Sequence, residues 1–129
     1  MNLLLDTHAV IWFITDSSKL PNKTKTIIEN GNNNCFVSIA SYWEIGIKYS
    51  IGRLELGTDL KTIFKIIADS GFNTLPISPN HILANAELKF YHQDPFDRII
   101  IAQSIIENMT VVSKDGQFKH YEVPILWEI

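Results

Sequence analysis

The run "NLLLD" at residues 2–6 leaves no polar face for water, so a strand formed there has to be covered on both sides. The same holds for "CFVS" (35–38) and "MTVVS" (109–113). Two more short apolar runs, "TLPI" (74–77) and "VPIL" (123–126), each contain a proline, which confines a strand to a sheet edge. Helix-length segments separate the runs throughout. Strands that alternate with helices and are buried on both faces predict a three-layer α/β/α domain with a mostly parallel, five-stranded sheet. No repeat, linker or low-complexity tract divides the chain, so residues 1–129 are expected to form a single domain.

The intervening segments carry helix signals. "HAVIWFITD" has helical spacing of large residues. "LPNKTKTIIENG" reads as a helix with a proline near its start and Gly31 as its stop, followed by the turn "NGNNN" (30–34). "SIASYWEIGIKYSIG" is expected to be a helix capped by Ser38 and ended by Gly52. "GTDLKTIFKIIADSG" puts Leu60, Ile63, Phe64 and Ile67 on one helical face, with Asp59 or Thr58 as cap. "PNHILANAEL" follows Ser78 as a helix, and the last helix runs from Pro95 to about Asn108.

Composition narrows the function classes. With 46% apolar and 19% charged residues in 129, the chain suits one globular core that buries roughly two-thirds of the unfolded surface. Cys35 stands alone, so no internal disulfide forms, which fits a reducing, cytoplasmic setting. "MNLLLDTH" lacks the basic and cleavage segments of a secretory signal, and no apolar run approaches the roughly 20 residues of a membrane span. A net charge of −3 does not advertise a nucleic-acid binder, although a bound cation can supply positive charge locally.

The informative residues are acids. In a parallel sheet ligands bind outside the carboxyl ends of the strands. Asp6 ends the first strand and Asp115 follows the fourth by two residues, so both reach that rim. The helix that opens near Pro95 feeds the fourth strand, so its N-terminus hangs over the same rim and brings Asp97. Glu44 lies less than two turns into the helix that leaves the second strand. Each acid also has a local explanation. Asp6 could cap the next helix, Asp115 before Gly116 could be a turn residue, and Glu44 could pair with Lys48 at i+4. In "DPFD", Asp94 is placed as the cap, Pro95 as the first helical residue and Asp97 at the third. Asp94 then starts the helix and Asp97 can point into the cleft.

Four carboxylates from distant parts of the chain would repel one another on one rim unless a cation sits among them. Oxygen ligands with no Cys or His cluster favour Mg²⁺ or Mn²⁺ over Zn²⁺. Such an ion can orient a phosphodiester and acidify a water for in-line attack. Thr7 and Ser113 place hydroxyls where they could position water or phosphate. Lys48, Arg98 and Lys114 could touch phosphates if they turn toward the cleft. His8 and His92 lie near the rim and read as packing or hydrogen-bonding residues; His81 and His120 share no metal-site spacing with them.

The segments "LLLDTHAVIWF", "SYWEIGIK", "HQDPFDRIIIAQS" and "VVSKD" resemble, in order and spacing, the PIN-domain ribonucleases, specifically the VapC-type toxins of toxin–antitoxin pairs. The resemblance covers essentially the whole chain. It implies Mg²⁺- or Mn²⁺-dependent endonucleolytic cleavage of RNA, a homodimer, and inhibition by a small cognate antitoxin laid across the cleft. Carried over by motif, Asp6 is the first metal-binding acid, Glu44 the helix acid and Asp97, in the "DRIIIA" frame, the central acid. Asp115 in "SKD" matches a fourth acid that the family more often presents as Thr-x-Asp; Ser113 keeps the hydroxyl.

Other functions fit less well. A phosphoacceptor receiver domain needs an acidic pair after the first strand and a lysine ending the fifth, but Asp6 stands alone and "VPIL" leads to Trp127. A phosphatase with an Asp-x-Asp nucleophile would place an acid where His8 stands. A catalytically silent interaction module would have no use for the full set of acids.

Overall fold

The computed structural model describes residues 1–127. The expected single domain ends two residues beyond them, at a terminus outside the described residues. In chain order the elements are β1 (Asn2–Leu5), α1 (Thr7–Ile14), α2 (Asn22–Glu29), β2 (Asn34–Ser38), α3 (Ile39–Ser50), α4 (Leu60–Asp69), β3 (Asn73–Leu75), α5 (Pro79–Glu87), α6 (Pro95–Glu107), β4 (Thr110–Val112), a 3-10 turn (Gly116–Tyr121) and β5 (Ile125–Leu126). The five strands form one sheet in the order β3-β2-β1-β4-β5. Every neighbouring pair is parallel. The two segments expected at the edges for their prolines do form them, as β3 and β5, with Pro76 and Pro124 just outside the strands themselves.

The leucines of β1 alternate across the sheet. Leu3 and Leu5 pack with Val10, Ile28, Ile63 and Ile67 on one side. Leu4 packs with Ile100, Ile101, Met109 and Phe118 on the other. All three leucines have no exposed surface, so the uniformly apolar strand reflects two cores rather than one. Helix α3 joins the two, with Ile45 in the first core and Ala40 in the second.

Most helix ends follow their local chemistry. The Ser38 and Ser78 hydroxyls and the Asp59 and Asp94 carboxylates accept from backbone N–H groups at their helix starts. Gly52, at φ 73°, lets Arg53 N–H reach back to Lys48 O at 2.9 Å and closes α3. Gly31 does not act as the stop of α2. The helix ends at Glu29, and an Asn30 side chain that accepts from Asn32 N–H at 2.9 Å turns the chain instead. Four of the strands are one or two residues shorter than expected, where residues such as Pro76, Met109 and Val123 carry the apolar pattern past the ladder, and β2 is one residue longer, starting at Asn34. The 3-10 turn had no counterpart in the sequence reading. It inserts Phe118 and Tyr121 into the second core.

The chain crosses from one half of the sheet to the other on the way from β3 to β4, so strand order reverses between the neighbours β1 and β4. Asp6 N–H bonds to Val112 O at 3.1 Å, which pins the start of α1 to the end of β4 at that point. Ligands of open α/β sheets bind outside such a crevice. Because Leu4 fills the layer beneath it, Leu4→Ala is expected to lower stability by about 3 kcal/mol in urea unfolding.

Candidate active site

Two of the acids at the crevice, Asp6 and Asp115, are each anchored to a helix start by one oxygen. Asp6, 3% exposed, caps α1 through Oδ1, which accepts from Ala9 N–H at 2.8 Å. Asp115 caps the 3-10 turn through Oδ1, which accepts from Gln117 N–H at 2.8 Å. Capping and presentation at the rim are therefore not alternatives for these two residues: the cap is what aims the second oxygen. Asp94 differs. Its Oδ1 accepts from both Phe96 and Asp97 N–H groups, so its role at the start of α6 is the one read from the sequence. Asp97 is thereby released from capping.

Glu44 is buried in the middle of α3, where no helix N-terminus can stabilise its charge. Its Oε2 pairs with Lys48 Nζ at 2.8 Å. Its Oε1 is buried with no hydrogen-bond partner, a costly state for a carboxylate oxygen.

The charges confirm that these acids share one neighbourhood. Asp97 is pushed up to about 8, first by burial and then by the charges of Asp94, Asp6, Glu44 and Asp115. Burial also raises Asp6, against hydrogen bonds from Ser113 and Ala9 N–H and the influence of His8. Ser113 links two acids, since its hydroxyl bonds Asp6 and accepts from Asp115 N–H at 3.0 Å. Thr7 is 2% exposed, and its hydroxyl donates to Ser41 Oγ at 3.0 Å, tying the first turn of α1 to α3.

Two basic residues stand close to the acids and one does not. Lys48 is held by Glu44. Lys114 is exposed beside Asp115. Arg98, expected to be able to face phosphates, points inward and is 5% exposed. Its guanidinium donates to the carbonyls of Asn85, Leu88, Lys89 and His92 and to Tyr121 Oη, over the ring of Phe90. Residues 85–92 present these carbonyls where the chain passes from α5 to α6, and a forked five-donor group satisfies them together.

The sequence reading missed how His92 is used. Its Nε2 lies 3.0 Å from Asp97 Oδ2 and 3.1 Å from Asp115 Oδ2. The available signal was its place two residues before the capping Asp94, whose N–H donates to His92 Nδ1 at 3.0 Å. The other histidines lie apart from the acid pair. His8 is exposed against Trp12, His81 completes the Ser78 capping box, and His120 stacks near Tyr91.

The donor set fits a hard divalent cation. It offers carboxylate oxygens from separate elements, one of them orphaned in the interior, and more buried negative charge than Lys48 can balance.

Residues 3–124 match the family model of the PIN domain, so the chain belongs to the PIN domain family. Solved structures share the fold. One is VapBC2 from Rickettsia felis bound to a DNA fragment from its promoter, with 19% identity over 99% of this chain and 100% of that one and a TM-score of 0.72. A second is a toxin–antitoxin complex from Klebsiella pneumoniae, at 16% identity over 98% and 99%, with a TM-score of 0.64. A third is the PIN domain endonuclease Utp24, at 16% identity over 97% and 83%, with a TM-score of 0.55. At these identities the likeness is one of fold. No curated protein matches the chain in sequence. Among the described residues no helix is long and apolar enough to cross a membrane.

The raised Asp97 carboxyl has a measurable consequence. The folded, metal-free chain keeps this proton up to about pH 8, whereas the unfolded chain releases it near pH 4. The fold therefore loses stability through this group as pH rises between those values. In EDTA, Asp97→Asn is expected to melt above the parent chain by roughly 10 °C more at pH 8 than at pH 5, since the three pH units correspond to about 4 kcal/mol. Thermal unfolding of both proteins at the two pH values checks it.

Proposed function

We propose that this chain is a Mg²⁺- or Mn²⁺-dependent endoribonuclease, the toxin of a toxin–antitoxin pair, acting in the cytoplasm. The observation that carries the reading is the set of Asp6, Glu44, Asp97 and Asp115 at one crevice, crowded enough to help push Asp97 up to about 8. Membership of the PIN domain family supports it. So does the likeness in fold to a toxin–antitoxin complex and to a PIN domain endonuclease.

In this reading Asp6, Glu44, Asp97 and Asp115 would hold the ion, which would supply positive charge for a phosphoryl oxygen and lower the pKa of a water. The chain's own residues hold the geometry. Ser113 keeps Asp6 and Asp115 in register, and Thr7, through Ser41, sets α1 and hence Asp6 against α3 and Glu44. Lys114 meets a backbone phosphate of the RNA, which gives affinity without sequence preference.

Two protein partners complete the proposal. A small cognate antitoxin lays a segment across the crevice and blocks the acids. A second copy of the chain covers the apolar face formed by Ile39, Trp43, Ile47 and Ile51 on α3 with Ile82 and Leu83 on α5, all exposed. These residues follow i, i+4 spacing on α3, and a two-fold dimer needs one patch that serves both subunits.

Purified protein with Mg²⁺ or Mn²⁺ is expected to cut a labelled RNA internally and to stop in EDTA. Asp6→Asn and Asp97→Asn should each lower the rate by more than about 100-fold, beyond the usual cost of an outer-shell partner. Asp94→Asn should change it less than about threefold, because Asn also caps well. Equal impairment at Asp94 and Asp97, with equal stability, overturns the assignment. Trp43→Glu is expected to leave a monomer in light scattering; a persistent dimer moves the interface elsewhere.

A further inference from the structure

We propose that His92 is a positioning residue of the acidic site: an imidazole whose Nε2–H is given to Asp115 with the Asp97 carboxylate beside it, setting the gap between them without itself ligating the ion. The inference rests on reading the acids as holders of a divalent cation, and it adds a role for the histidine among them.

His92 Nε2 and one oxygen each of Asp97 and Asp115 lie within 4.8 Å of one another, the spacing of a three-ligand metal site. The hydrogen bonds decide against that use of the ring. His92 Nδ1 accepts from Asp94 N–H at 3.0 Å, so its lone pair is taken and a proton there would meet a donor. With one proton on the ring, that proton therefore sits on Nε2, where it bonds Asp115 Oδ2 at 3.1 Å, and Asp97 Oδ2 lies beside the same nitrogen at 3.0 Å. A ligating nitrogen must offer a lone pair, and Nε2 has none while it carries that proton.

The mount is rigid. His92 N–H donates to Tyr121 Oη at 2.7 Å, and its carbonyl accepts from Arg98 Nη1 at 3.2 Å. The same guanidinium holds the carbonyls of Asn85, Leu88 and Lys89. The edge of the ring meets Phe118, which is fully buried. The inward turn of Arg98 therefore serves the site at one remove. It fixes the segment that carries His92, and His92 draws together one carboxylate from the start of α6 and one from the turn after β4. Without that donor the two oxygens face each other with nothing between them, and the entropy of closing a site for the ion rises.

Long-range proton–nitrogen correlation spectra of the ¹⁵N-labelled chain at about pH 8.5, above the ordinary histidine range, report which ring nitrogen of His92 is protonated. The expected result is a proton on Nε2 and a bare Nδ1, both before and after saturation with Mg²⁺. A proton on Nδ1 in either state, or loss of the Nε2 proton on adding Mg²⁺, overturns the proposal. Two substitutions separate the roles of the ring. His92→Gln keeps a donor near the Nε2 position; His92→Asn keeps an acceptor near Nδ1 and loses the donor. Mg²⁺ affinity, read from amide shifts of folded protein, should stay within about threefold in His92→Gln and weaken about 10- to 100-fold in His92→Asn. Equal affinities in the two variants, whether kept or lost, overturn the donor role. If Mg²⁺ moves no signal of the parent chain, the cation reading fails, and the ring proton in the metal-free spectrum still decides the assignment of His92.

Discussion

Asp97 sits among Asp94, Asp6, Glu44 and Asp115 in partly dry surroundings, and burial, with the charges around it, holds its carboxyl near 8 instead of near 4. Repulsion among such neighbours would splay a loosely built loop. It is tolerated because the acids are fixed to separate rigid elements that meet where the sheet reverses its strand order. Asp6 is pinned by a ladder bond to β4, Asp97 rides the first turn of α6, and Glu44 is set in α3. Much of the molecule works to keep like charges close.

Helix starts supply most of the compensation. Asp6, Asp94 and Asp115 each accept from backbone N–H groups at the start of a helical segment, where the local dipole favours negative charge. Glu44 has no such help, being in mid-helix, and takes Lys48 instead. One Glu44 oxygen still lacks a partner, and Asp97 still prefers its proton. Under the proposed function, a cation that replaced the Asp97 proton and met the orphaned Glu44 oxygen would relieve both.

The surroundings of the site are built from the opposite tactic. Arg98 is a buried cation that pairs with no carboxylate among the described residues and is satisfied by four backbone carbonyls and a phenol. It converts an irregular connection between α5 and α6 into a fixed support. Through His92 that support reaches two of the acids, so the second core and the acidic crevice are mechanically one unit. On the outer face of α3, the exposed Trp43 lies next in sequence to the buried Glu44.

Much of this was legible from the residues alone. Three leucines in a row announce a strand covered on both faces, prolines mark the sheet edges, and "DPFD" separates a capping acid from one that is released. Such features are settled by interactions within a few residues, so spacing and composition reveal them. The rim itself followed from strand direction, because all carboxyl ends of a parallel sheet lie on one side. The direction of a side chain is different. Arg98 reads as a surface cation until its acceptors, up to 23 residues away in sequence, are brought around it. His92 reads as a bystander until Asp115, also 23 residues on, arrives beside Asp97. Gly31 looks like a helix stop until an asparagine turn makes it unnecessary. These outcomes depend on which distant groups become neighbours, and a linear pattern holds no record of that until the chain has closed on itself.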